Sequence, residues 1–409
     1  MQNKYRIFHT FFITIFLILL LAINPTAKVI KADNNNTQNS NHIVVKLSTS
    51  SNIQVIASKY GLTVLSSINN NSFLLSIPNN TDINTLISNI SSESGVIVAE
   101  ANTDITTPLI SLRQPVNFPG GDPIGGNLDY NAYKYQPLNI LWQLDTVQTV
   151  SKGRGVKIAV IDTGIDLQHP DLVGHISLDG YDFIDNDSIP NDEHGGPSYG
   201  HGTFIAGLIA LVAPEAQILP LRVINPSGYG NAFEVAAAIR YAVDHGAKVI
   251  NLSLGGDEQS TVIKDQLDYA KSKKCLVLAA VGNTNSNMET IFPACSGNVF
   301  AVSAVDINYL KADFSNYGSD VDFASIGVDL ISTFPNNSYA KWSGTSFATP
   351  LVAAEAALIL QIKPSTVSLD SVIKETAIKI DNLQPSTYKG KLGCGVVSPL
   401  KAINYLRNK

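Results

Sequence analysis

Val156-Lys157-Ile158-Ala159-Val160-Ile161 is an almost unbroken apolar run, and Asp162-Thr163-Gly164 follows it at once. A short apolar run ended by a turn signal reads as a strand buried on both faces. Ile218 to Val223, Val249 to Leu252, Leu276 to Val281 and Val299 to Ala304 repeat the pattern, while Ala232 to Val243 and Thr261 to Lys271 carry helical spacing. Strands that are apolar throughout and alternate with helices predict an α/β fold whose mostly parallel sheet is covered on both sides. Ligands of such sheets bind beyond the carboxyl ends of the strands, which is where Asp162 and Asn283 fall.

Two more glycine-bracketed motifs lie downstream: His201-Gly202-Thr203, and Gly344-Thr345-Ser346-Phe347-Ala348-Thr349-Pro350. A serine hydroxyl is a weak nucleophile, so an imidazole must take its proton and a buried carboxylate must hold that imidazole in the right tautomer. Ser346, His201 and Asp162 are the candidates for these roles. His194-Gly195 lacks the threonine and the following apolar helix that His201 has, and Asp166 lies one turn beyond the strand, where a turn or cap residue is expected. His201 must be unprotonated to act as base, so activity is expected to rise as it loses its proton and to hold in mildly alkaline solution.

The order Asp, His, Ser is that of subtilisin and differs from the order in chymotrypsin and in nucleophile-elbow hydrolases. On these three motifs the chain resembles the subtilisin-like serine proteases. The resemblance implies a three-layer subtilisin-like catalytic domain over residues 131–409. It also implies that Asn283, delivered by Ala279-Ala280-Val281-Gly282, is an oxyanion-hole donor, with the Ser346 backbone N–H at a helix start as the second. Pro350 fits an early turn of that helix. Ser253-Leu254-Gly255-Gly256 resembles one wall of the family's substrate cleft and Gly228-Tyr229-Gly230 the other. An extended peptide or protein substrate pairing by strand addition follows.

The N-terminal part is organised differently. Lys4 and Arg6 precede an apolar run from Ile7 to Ile23, with small residues at Ala27 and Ala32, so residues 1–32 read as an export signal, the alternative being an uncleaved anchor. Asp33 to Asn41 reads as a linker. His42 to Leu47, Asn52 to Tyr60, Leu62 to Ile68, Ser72 to Ile77, Ile83 to Ile90 and Gly95 to Ala99 then read strand, helix, strand, strand, helix, strand, the ferredoxin-like order. In front of a subtilase domain, this module at residues 33–100 is similar to the family's propeptide, which inhibits the enzyme and assists its folding. Residues 101–130, rich in Thr, Pro, Gly and Asn, are expected to be an exposed connector. The activating cut is expected after Glu100, with Arg113 as the other candidate.

Composition narrows the class. With 409 residues, 44% hydrophobic and 15% charged, the chain can bury a large core. A net charge of −6, without a basic block beyond the N-terminus, argues against a nucleic-acid partner. Three cysteines, Cys275, Cys295 and Cys394, leave at least one thiol unpaired, while a Cys275 to Cys295 bridge stays open. The long calcium-binding insertion that many subtilases carry after the histidine motif is missing. Asp182, Asp185, Asp187 and Asp192 resemble a calcium loop of other relatives, a solvated acidic loop being the alternative. No cofactor is expected for the chemistry itself.

Phe347 and Leu351 stand where the family usually has Met and His, which brings the motif closer to lantibiotic leader peptidases. The expected protein is therefore a monomeric serine endopeptidase made as a zymogen and exported by a bacterium. It would be inhibited by its own propeptide and remove leader peptides from lantibiotic precursors. A broad-specificity extracellular protease and an inactive subtilase-fold binding module are the alternatives.

Overall fold

The computed structural model describes residues 41–48, 51–107, 128–287, 291–363 and 368–408. The proposed signal, the linker up to residue 40 and Arg113 lie outside the described residues.

Six elements build the N-terminal module: β1 (His42–Leu47), α1 (Ile53–Tyr60), β2 (Thr63–Ile68), β3 (Ser72–Ser76), α2 (Ile83–Ser91) and β4 (Val96–Ala101). The sheet is antiparallel in the order β2-β3-β1-β4, as the ferredoxin-like reading requires. Asn52 and Asp82 cap the two helices with their side chains. Ile43, Val45 and Leu47 on β1 pack with Ile53, Ile56, Leu86 and Ile90 into a small core of their own.

The chain does not become an exposed connector at residue 101. Asp104–Thr106 form strand β5, and Ile105 is completely buried. An apolar residue every second position is a signal too short to register in three residues, so composition alone concealed this strand.

Three short helices follow, α3 (Tyr130–Lys134), α4 (Pro137–Leu141) and α5 (Leu144–Gln148). The main sheet uses β6 (Lys157–Asp162), β7 (Tyr181–Asp182), β8 (Gln217–Arg222), β10 (Val249–Leu252), β11 (Leu276–Ala280), β12 (Phe300–Val305) and β13 (Phe323–Ile326). Its order is β13-β12-β11-β10-β6-β8-β7, with every adjacent pair parallel. Strand β9 (Tyr229–Asn231) stands apart and pairs with β5, and β14 (Leu330–Phe334) with β15 (Ser338–Trp342) forms a hairpin.

The continuous apolar strands are explained by two cores, one on each face. Ile158 and Val160 of β6 point into a core shared with α6 (His201–Val212) and α9 (Thr345–Ile362). Ala159 and Ile161 point into the other, shared with α7 (Ala232–Asp244) and α8 (Thr261–Ser272). Helices α10 (Leu369–Thr376) and α11 (Pro399–Arg407) close the first layer. The result is the three-layer subtilisin-like α/β fold. In it β6 has β8 on one side and β10 on the other, so the strand order reverses there and a crevice opens beyond Asp162.

Candidate active site

Asp162 is the last residue of β6, and His201 is the first of α6. Both are completely buried, with His201 Nδ1 2.6 Å from Asp162 Oδ1. The same oxygen accepts the Thr163 N–H at 2.8 Å. A carboxylate only accepts, so the shared proton sits on Nδ1 and Nε2 is left as an acceptor. Nε2 is buried without a hydrogen-bond partner. The imidazole is flanked by Phe347 and Trp342, with ring centroids 5.3 and 6.0 Å away.

The glycines of the two motifs have steric reasons. Gly164 lies at φ +95°, and a β-carbon there would come within 2.5 Å of the Asn191 carbonyl oxygen. The Gly202 N–H donates to Thr163 Oγ1 at 2.9 Å, so the threonine side chain of the aspartate turn ties it to the histidine helix.

Asp192 caps the same helix. Its carboxylate takes the Gly200 N–H at 3.1 Å, the Thr203 N–H at 3.2 Å and the Thr203 hydroxyl at 2.7 Å. Burial pushes this carboxyl up to about 7, against those three donors and the positive helix end.

Ser346 is the second residue of α9, where the helix supplies no acceptor for its N–H. Its hydroxyl is turned towards the Ser253 carbonyl at 3.5 Å. The structure therefore joins the aspartate to the histidine, and sets the serine beside Phe347, which packs on the imidazole, with the hydroxyl donating to Ser253 and not to Nε2. Such contacts often tighten only with substrate in place.

Pro350 lies in the second turn of α9 and has no N–H for the Ser346 carbonyl four residues back. The Ser253 hydroxyl donates to that carbonyl instead, at 2.7 Å. One substitution for a helix hydrogen bond thus ties the serine to the segment 253–256.

Asn283 follows β11. Its Oδ1 accepts both the N–H and the hydroxyl of Thr345 at 2.9 Å, which fixes the amide orientation. Nδ2 is then left buried and unpartnered. A buried donor without an acceptor costs free energy unless a ligand completes it.

The segments 228–230 and 253–256 face each other across β5. Asp104, Ile105 and Thr106 pair antiparallel with Asn231, Gly230 and Tyr229. On the other side Thr106 and Gly255 exchange two backbone hydrogen bonds of 2.9 Å. Thr107 N–H donates to the Gly228 carbonyl at 3.1 Å, and its hydroxyl lies 2.8 Å from that of Ser198. Ile105 enters the core that holds Leu254, Phe233 and Val235. Gly256 leaves the room: a β-carbon there would be 3.0 Å from the Asp104 carbonyl oxygen.

Glu100 is elsewhere. Its carboxylate takes the N–H groups of Thr261 and Val262 at 3.0 and 3.1 Å and the Ser260 hydroxyl at 3.1 Å, capping α8. The chain continues past it through Asn102 and Thr103 to β5, between the segments 228–230 and 253–256. Asn102 Oδ1 and the Thr103 carbonyl accept from Phe233 and Ala232 at the start of α7, both at 3.0 Å. Lys46 pairs with Asp265 at 2.6 Å.

The four acids of the proposed calcium loop each have protein partners. Asp182 and Asp185 bind Arg222 Nη1 at 2.6 and 2.7 Å, and Glu193 binds Nη2 at 2.6 Å. Asp187 closes its own turn by accepting the Ile189 N–H, and Asp192 caps α6. The cation these acids surround is a guanidinium, delivered by β8 from outside the acidic loop. Among the described residues no three His, Cys, Asp or Glu converge as a metal site. Cys275, Cys295 and Cys394 are free thiols. Asp166 serves a turn, accepting the Gln168 and Asn336 N–H groups, and His194 packs on Tyr199. Sequence reading missed Thr345, Ser198 and Ser253's tie to Ser346, because nothing local marks a hydroxyl whose partner lies far along the chain.

Residues 153–395 match the Subtilase family, and residues 24–102 match the fervidolysin N-terminal prodomain. The chain is 40% identical over 286 residues to thermitase of Thermoactinomyces vulgaris, covering 68% of this chain and 98% of thermitase. It is 41% identical over 284 residues to a thermophilic serine proteinase of Bacillus sp. (strain AK1), covering 67% and 69% of the two chains. The fold is similar to that of fervidolysin from Fervidobacterium pennivorans, described as a keratinolytic enzyme related to subtilisin, with a TM-score of 0.73 at 24% identity. That likeness covers 89% of this chain, which spans 61% of the fervidolysin chain.

Proposed function

This chain belongs to the subtilase family and is a subtilisin-type serine protease with a prodomain, and on that premise we propose that it is an exported, broad-specificity endopeptidase held inactive by its own residues 104–107. Ser346 Oγ attacks the peptide carbonyl while His201 Nε2 takes its proton. Asp162 holds the proton on Nδ1 and stabilises the imidazolium. Negative charge forms on the carbonyl oxygen between Asn283 Nδ2 and the Ser346 N–H. Histidine then returns its proton to the leaving amine, and water hydrolyses the acyl-enzyme by the same route.

The observation that carries this reading is a buried Asp162–His201 pair of 2.6 Å beside two unpartnered polar atoms, His201 Nε2 and Asn283 Nδ2. Nε2 lacks the Ser346 hydroxyl whose proton it would take, and Nδ2 lacks the carbonyl oxygen that a reacting peptide would supply.

Breadth of specificity is supported by the way β5 is held, through backbone hydrogen bonds to Tyr229, Gly255 and Gly228. Such pairing is indifferent to side-chain identity, and Ile105 marks a preference for an apolar residue at one position. Phe347 and Leu351, which suggested a leader peptidase, are both fully buried in the core and say nothing about substrate choice. Export rests on the basic and then apolar N-terminus.

Strand β5 runs antiparallel to 253–256, from Gly255 at Thr106 towards Ser253, so we place the activating cut just beyond Thr107. N-terminal sequencing of the secreted enzyme should give a start within residues 108–114, and the Ser346→Ala chain should keep its prodomain attached. A start at Ala101, or normal processing of the alanine variant, would refute self-cleavage from the cleft. Casein should be degraded extensively; a leader peptidase dedicated to one precursor would leave it nearly intact.

A further inference from the structure

Asn316 has none of the roles assigned above, yet its fully buried carboxamide contacts the chain on both sides of Asn283. Nδ2 donates to the Val281 carbonyl at 2.8 Å. Oδ1 accepts the Thr284 N–H at 3.0 Å, the Thr284 hydroxyl at 2.9 Å and the Ser286 N–H at 3.0 Å. Its own backbone N–H donates to the Gly282 carbonyl at 3.0 Å. Residues 281, 282, 284 and 286 are thus held by one side chain and its main chain, while Asn283 is left to face Thr345 and the cleft.

The fit is close. Gly282 sits at φ +96°, and a β-carbon there would fall 2.6 Å from Asn316 Nδ2. Neighbouring contacts share the load in the same direction: the Asn285 N–H donates to the Phe314 carbonyl at 2.8 Å, and Lys311 Nζ donates to Asn285 Oδ1 at 2.9 Å. Both partners lie on the segment that carries Asn316.

We propose that Asn316 is a positioning residue for the oxyanion hole, fixing the 281–286 turn so that Asn283 Nδ2 meets the developing negative charge. The proposal rests on the reading of Asn283 as the oxyanion donor. Such a donor acts only at about 2.7–3.1 Å from the oxygen of the transition state. A displacement of about 1 Å can cost on the order of 10²-fold in rate. A planar amide that bonds the turn before and after the donor is suited to hold that tolerance.

The test uses the full chain with a site-specific protease sequence placed within residues 108–127, so that release of the prodomain does not depend on self-cleavage. Active sites are counted with a fluorophosphonate, and kcat and KM are measured on a chromogenic tetrapeptide. Asn316→Ala should lower kcat about 10- to 100-fold with KM changed less than about twofold. Asn316→Asp, which keeps the acceptor but sets a second oxygen against the Val281 carbonyl, should lose at least as much. In an Asn283→Ala background, itself slower by about 10²- to 10³-fold, adding Asn316→Ala should change kcat less than about threefold.

Losses that multiply in the double variant, or a rise in KM at unchanged kcat, would overturn the proposal while leaving Asn283 in its role. Unchanged kcat in Asn283→Ala would overturn that role and this proposal with it. Should Asn316→Ala not fold, Asn316→Asp and Asn316→Ser carry the same cycle.

Discussion

A β-carbon on Gly202 would lie 2.1 Å from the carbonyl oxygen of Gly164. The obstruction is backbone, which cannot swing aside as a side chain can. The contact joins the turn after Asp162 to the helix begun by His201, so their separation is set by two glycines. Gly202→Ala should therefore push the acid and the imidazole apart and reduce kcat/KM by about 10²-fold or more, with overpacking costing roughly 1–3 kcal/mol in stability. Gly174, with open space around its β-carbon position, is the control, and Gly174→Ala should retain activity. Full activity in Gly202→Ala would remove the close approach as the reason for that glycine.

Arg222 is only 2% exposed, as is its partner Asp182, whereas Asp185 and Glu193 are about half exposed. Removing the guanidinium strands a buried carboxylate. Arg222→Met should destabilise the fold by about 3–5 kcal/mol, measured by denaturant unfolding in the inactive Ser346→Ala background. The loss should be the same in calcium and in chelator. Recovery of stability by calcium alone would return these acids to the role of metal ligands.

Glu355, on α9, is completely buried with neither carboxyl oxygen in a hydrogen bond of good geometry. Burial pushes its carboxyl up to about 8, opposed by the Ser398 N–H. Between its ordinary value of 4.5 and about 8 the folded chain keeps a proton that the unfolded chain has released. Stability must then fall as pH rises through that window, by roughly 3–5 kcal/mol in all. Glu355→Gln in the Ser346→Ala background should match its parent near pH 4.5 and exceed it in melting temperature at pH 8. Equal differences at both pH values would show that the acid is not held protonated by the fold.

Much of the architecture was legible in the sequence because it is written in local periodicity. Val249 to Leu252 was read with the bounds observed, and the strand at Asp162 and the helices at 232 and 261 shifted by one residue at most. Apolar runs identify doubly buried strands wherever helices cover both faces. The three motifs were equally legible, since each combines a reactive side chain with the glycine its turn requires. What escaped was short or non-local. Strand β5 has three residues and exists because β9 and Gly255 pair with it on either side. The hairpin β14–β15 and the helices between 130 and 148 likewise gave too little periodicity to stand out.

By itself the sequence determined the layered α/β class, the positions of Asp162, His201 and Ser346 at element ends, and a separate N-terminal module. Tertiary structure alone decided what each charge meets. Asp182 and Asp185 face a guanidinium 40 and 37 residues away, and Glu100 reaches a helix start 160 residues on. Residue type limits which bonds a carboxylate can accept, but the donor that satisfies it is brought there by sheet order and packing, and nothing in the neighbouring residues records that choice.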